Sequence, residues 1–82
     1  MTIGHSVDPL FQIAEATFGI PARALSDESS PVSVAAWDSL GHLNLILALE
    51  AAFNVSFSPE DVINMRTLGA IRDAMRAQGV DL

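Results

Sequence analysis

The stretch from Ser39 to about Phe53 constrains the fold more than any other part of the chain, because it reads as one helix with two apolar faces. At ~100° per residue, His42, Leu45, Ile46, Leu49 and Phe53 fall on one side, while Leu40, Leu43 and Leu47 fall nearly opposite. A chain of 82 residues is expected to form one domain, spanning residues 1–82, with a single small core. Such a core can hardly take both faces. We therefore expect the Leu45 side to pack inside and Leu40, Leu43 and Leu47 to stay partly exposed as a docking surface for partners. The competing arrangement has the loop from Ile20 to Val34 folding over the second face and burying it.

The remaining punctuation is also helical. Asp8-Pro9 suits a cap and first turn, Leu10, Phe11, Ala14 and Phe18 recur at helical spacing, and Gly19 offers a left-handed stop. From Ile20 to Asp38, Pro21, Pro31 and four serines break any period, so this is a long loop with room for a short helical turn. Loops of this length are uncommon without a role. Ser58-Pro59-Glu60-Asp61 opens a short third helix ending near Met65, combining a cap, a proline at the first position and acids in the first turn. Thr67 caps a last helix whose Leu68, Ile71 and Met75 form one stripe before Gly79. The predicted fold is all-α: four helices, a long loop between the first two, and a short third helix crossing three longer ones. Its predicted core is Phe11, Phe18, Leu45, Leu49, Phe53, Ile71 and Met75.

Composition excludes several functions. Half the residues are hydrophobic and 17% are charged, enough to form a core and too apolar for a disordered chain. The net charge of −6, from ten acids against four arginines and no lysine, disfavours attraction to nucleic-acid phosphates or anionic membranes. Basic partner surfaces fit better. The residues from Met1 to Leu10 lack a cationic start followed by an apolar run, and no stretch approaches the ~18 apolar residues of a membrane span. A cytoplasmic, monomeric protein is expected. With no cysteine, the chain has neither disulfides nor thiolate metal sites, and any thiol it displays must be added.

Trp37-Asp38-Ser39-Leu40-Gly41-His42-Leu43 sets a serine where a polar loop turns into the two-faced helix. Short polar side chains there accept hydrogen bonds from the first unpaired amides, and the same amides favour a phosphodiester anion on Ser39. Here Asp38-Ser39-Leu40 and the helix from Leu43 to Phe53 resemble the modification site of the acyl carrier proteins, and the likeness runs from about Val7 to Gln78. In that family the serine carries 4'-phosphopantetheine, whose thiol holds acyl or aminoacyl groups as thioesters. The resemblance implies that a phosphopantetheinyl transferase joins the arm from coenzyme A to Ser39. It implies that Asp38 assists recognition by the transferase, and that a loading ligase and acceptor enzymes meet the holo protein. The chain would then be a discrete carrier and not an enzyme, with a flexible arm raising the local concentration of cargo at each docked partner. An aminoacyl or peptidyl carrier and an unmodified helical interaction module are the alternatives.

The family's recognition helix matches the Ser39 helix, which puts docking on Leu40, Leu43, Asn44 and Leu47. Fatty-acid carriers commonly have acids at the positions of Gly41 and Asn44; here only Asp38 and Glu50 are charged in this segment. That favours an apolar contact with a dedicated partner, and a specialised pathway over bulk lipid synthesis. His42 lies one turn after Ser39, the spacing of a nucleophile and its base. Against a hydrolase stand the absence of a Gly-x-Ser-x-Gly elbow and of an evident group to orient the histidine. Helical geometry also sends His42 toward the core side. His5 sits near a terminus, and two histidines without clustered carboxylates make a poor metal site. Trp37 is expected to pack at the helix entry, and Arg72 and Arg76 to form a solvated face.

Overall fold

The computed structural model describes residues 8–82, so His5 and most of the leading segment lie outside the described residues. Four α-helices follow one another: α1, Pro9–Phe18; α2, Ser39–Phe53; α3, Pro59–Asn64; and α4, Leu68–Ala77. A single 3₁₀ turn, Ala22–Ala24, interrupts the long loop between α1 and α2. The described residues contain no strand, as expected of an all-α chain.

Each helix starts at a side-chain cap that offsets the unpaired amides of its first turn. The Asp8 carboxylate accepts from the Leu10 amide, Ser58 and Asp61 form a reciprocal capping box, and Thr67 accepts from the Ala70 amide. Gly19, at φ 72°, ends α1 in the left-handed region where a side chain would be strained. α2 ends differently, on Asn54 at φ 54°, one of the few residues besides glycine that tolerates this conformation.

α1 packs against both α2 and α4. Leu10, Ala14, Leu45, Leu49, Leu68, Ile71 and Met75 are fully enclosed between these helices. Burying each leucine is worth about 2 kcal/mol relative to leaving it in water. Two aromatic residues expected in this core, Phe11 and Phe53, are only half-buried at its rim. Their places are filled by Leu25, Val34 and Trp37 from the loop and by Met65 just after α3. The loop is thus part of the core.

The loop also has local order of its own. Ser26 to Ser29 and Ser30 to Ser33 form two consecutive turns of the same design. In each, the first serine's amide donates to the second serine's hydroxyl, at 2.9 and 3.0 Å, while the second serine's amide donates back to the first carbonyl. The Leu68 and Gly69 amides, unpaired within α4, donate to the carbonyls of Ser29 and Asp27. Arg72 closes the same junction. Its guanidinium donates to Asp8 at 2.7 Å and Asp27 at 3.1 Å and lies over the Phe11 ring, 5.2 Å from the centroid. Arg72 is therefore no part of a solvated face: it ties α4 to the start of α1 and to the loop. The Asp8 hydrogen bond foremost, with Asp27, outweighs the cost of desolvation and raises its pKa above the ordinary arginine value.

Candidate functional site

Ser39 is the first residue of α2, and the residue that caps the helix is its neighbour. Asp38 has extended backbone, and its Oδ1 accepts from the Gly41 amide at 2.8 Å. Its carbonyl takes the His42 amide at 2.8 Å. This removes the reading of Ser39 as merely a helix cap. Its side chain is exposed, and its hydroxyl has no hydrogen-bond partner among the described residues. Asp38 thus has a structural role of its own, holding the serine at the mouth of the helix.

Gly41 explains one departure from the acidic pattern of fatty-acid carriers. It is buried against the loop's last turn, and a Cβ built on it would overlap the backbone carbonyl oxygen of Ala36. The same Cβ would also press on Asp38 Oδ1, at 3.2 Å. Only glycine lets the loop come this close just before Trp37 and Asp38.

Trp37 packs at the helix entry as expected, only 1% exposed. Its ring stacks on Phe18, with centroids 5.3 Å apart, and meets the His42 ring edge to edge, with centroids 6.0 Å apart and planes within 20°. The indole Nε1–H donates to His42 Nδ1 at 2.9 Å. An indole nitrogen can only donate, so Nδ1 is the acceptor nitrogen and the imidazole proton sits on Nε2. From there it donates to the Val62 carbonyl of α3, at 2.8 Å. The histidine therefore does have orienting groups, which spacing in the sequence did not disclose. They occupy both of its nitrogens, leaving no lone pair to take a proton from Ser39 and hence no hydrolytic pair.

The second apolar face is open. Leu40, Leu43 and Leu47 are 66%, 49% and 54% exposed, and Asn44 beside them is exposed too. The loop delivers Leu25 and Val34 to the core and leaves this face uncovered. On the other side of Ser39 lies a groove of about 530 Å³. The 31–39 segment and the start of α2 form one wall, and α3 with the residues after it forms the other. Pro31, Trp37, Val62, Ile63 and Met65 give it an apolar lining, with Asp38, Ser39, His42 and Arg66 as its polar groups. Among the described residues no helix is long and apolar enough to cross a membrane, and no acid, histidine or cysteine cluster could hold a metal ion.

Comparison with known proteins places these features. A family model described as a phosphopantetheine attachment site matches residues 8–75. The solution NMR structure of a holo acyl carrier protein from Geobacter metallireducens aligns with a TM-score of 0.72 at 26% identity. That alignment covers 89% of this chain and 91% of the other. No curated protein matches the chain.

Proposed function

The chain belongs to the acyl carrier protein family, whose members bear a phosphopantetheine attachment site, and from that premise we propose that Ser39 is the residue that carries the arm. Proteins of this family are carriers and not enzymes, and their covalent group is 4'-phosphopantetheine. The observation that carries the assignment to Ser39 is its exposed, unpartnered hydroxyl at the first position of α2, opening onto the groove. This site fits the group. The hydroxyl is accessible to a transferase, the helix N-terminus favours the phosphodiester, and the groove, with both apolar and polar lining, can receive the amide-bearing arm.

Each nearby residue has a part. Asp38 holds Ser39 at the helix mouth through its Gly41 hydrogen bond, and its exposed carboxylate edge offers the transferase a recognition point. The Ser39 oxygen forms the new bond to phosphorus while coenzyme A gives up its nucleotide half, and the hydroxyl proton leaves with a base of the transferase. When bound, the arm supplies a terminal thiol that holds acyl or aminoacyl groups as thioesters.

Leu40, Leu43, Asn44 and Leu47 form the docking face for the transferase, a loading ligase and acceptor enzymes. With no charge on that patch, the contact is apolar, which supports a dedicated partner set and a specialised pathway in the cytoplasm. In this reading residues 1–82 act as one monomeric carrier domain.

The test is intact-protein mass before and after incubation with coenzyme A, magnesium and a broad-specificity phosphopantetheinyl transferase. One phosphopantetheine adduct on the wild type and none on Ser39→Ala supports the assignment. Folded wild type left unmodified by several transferases overturns it in favour of an unmodified interaction module.

A further inference from the structure

We propose that Arg66 is a positioning residue for the arm, pairing with the phosphodiester attached at Ser39 across the mouth of the groove. The proposal rests on the attachment reading above and names the group on this chain that would meet the new charge. The chain already carries a net charge of −6, and modification adds an anion next to Asp38. Like charges this close repel, so an unopposed phosphate would be driven from the groove. The helix N-terminus offsets only part of this, since Asp38 already takes the Gly41 amide.

The four arginines are not equally placed to answer that charge. Arg72 is committed to Asp8 and Asp27. Arg76 donates to the Leu82 carbonyl oxygen. Arg23 sits in the 3₁₀ turn and does not line the groove. Arg66 lies just after α3, is exposed, and lines the same groove as Asp38 and Ser39. Its side chain makes no ion pair or hydrogen bond among the described residues. A guanidinium is the group best matched to phosphate, because its planar fork can give two parallel N–H bonds to two oxygens. Fixing the phosphate there aims the first part of the arm along Val62, Ile63 and Met65 and away from the Leu40–Leu47 face.

The experiment uses holo protein bearing the arm without cargo, so that the phosphodiester is the one new anion. A carboxylate on a cargo would be absent from it. We would record the ³¹P resonance and the arginine Nε–H resonances of apo and holo forms at low and at raised salt. Wild-type holo protein should show the Arg66 Nε–H moved from its apo position and reverting with salt. Arg66→Gln should shift the ³¹P resonance and Arg66→Lys should restore it in part, since lysine keeps the charge without the fork. Arg23→Gln, which removes an equal charge outside the groove, should leave it unmoved. An Arg66 resonance that is the same in apo and holo protein overturns the proposal, as does an equal ³¹P response to Arg66→Gln and Arg23→Gln. Mass analysis separates this from failure of the attachment reading, in which no holo protein forms at all.

Discussion

Replacing Gly41 by alanine tests the geometry at the start of α2, because helix propensity and packing predict opposite signs. In a helix, alanine is favoured over glycine by up to about 1 kcal/mol, so propensity alone predicts a more stable protein. The structure predicts the reverse. The added methyl meets the Ala36 carbonyl oxygen, which is backbone and cannot swing aside. Overpacking of this kind costs about 1–3 kcal/mol, and a backbone obstacle puts it near the upper end. Moving Ala36 would also drag Trp37 and Asp38, the buried ring and the cap, for about 1 kcal/mol of lost capping. The net expectation is a loss of about 2–3 kcal/mol from a total of about 4–12 for a domain of this size. At about 4–8 °C per kcal/mol, the melting temperature should fall by about 8–24 °C. The assay is thermal unfolding followed by far-UV circular dichroism. Asn44→Ala, exposed on the same helix, serves as a control that should be neutral or slightly stabilising. A Gly41→Ala protein that melts at or above the wild type refutes the close approach of loop and helix.

Two further substitutions probe other parts of the molecule. Leu47→Asp, at a side chain already half in water, should leave the protein folded, with a stability change within about 1 kcal/mol. It should also weaken binding to a cognate transferase or acceptor enzyme by about tenfold or more, measured by calorimetry; unfolding instead would mean that the leucine face is core. Arg72→Gln should cost about 1 kcal/mol in thermal melts, because it removes two ion pairs, one of them half-hydrated, and the cation from the Phe11 face. Since the Arg72 pKa is raised, its contribution is fully present below the ordinary arginine value and is lost only as pH rises through the still higher folded one. The cost of Arg72→Gln should therefore be the same at about pH 7 and pH 9. A cost that vanishes by pH 9 would refute the pairing.

The helices were legible because each is bounded by chemistry that acts over three or four residues. Asp8-Pro9, Ser58 with Asp61, and Thr67 each cap a first turn, and Gly19 closes α1. The two faces of α2 followed from angular spacing, and its exposed leucines are where that spacing puts them. What spacing does not carry is the meeting of residues distant in sequence. Arg72 looked solvent-facing because its partners, Asp8 and Asp27, lie on α1 and the loop. Phe11 and Phe53 lost the core to Trp37, Leu25 and Val34 from the loop and to Met65 after α3, because irregular segments supply packing that no helical period registers. The four loop serines did carry a signal: two successive Ser-x-x-Ser units at positions 26–29 and 30–33, each a turn. The Ala36 approach that demands glycine at position 41 had no such signal, since it depends on the path of the loop.

The two walls of the groove are held by different forces, and this bears on the proposed attachment at Ser39. On the α2 side, Ser39 is flanked by a capped helix start, by Gly41 locked under Ala36 and by Trp37, stacked on Phe18 and hydrogen-bonded to His42. Displacing it would break a cap and uncover an indole that is almost wholly buried. α3 has no fully buried residue of its own, and Ile63 is largely exposed. Its link to α2 is the His42 bond to the Val62 carbonyl, with Met65 anchoring the segment just beyond it. Few buried apolar contacts mean a low free energy of local opening, so α3 belongs to the less stable part of the molecule. A serine on α3 would move with that wall, whereas Ser39 keeps a fixed position, which the proposed attachment of the arm requires. His42 then has a physical reason to be a histidine: a neutral imidazole accepts from the indole and donates to the carbonyl at once, joining the rigid wall to the weaker one, which neither leucine nor lysine at position 42 could do.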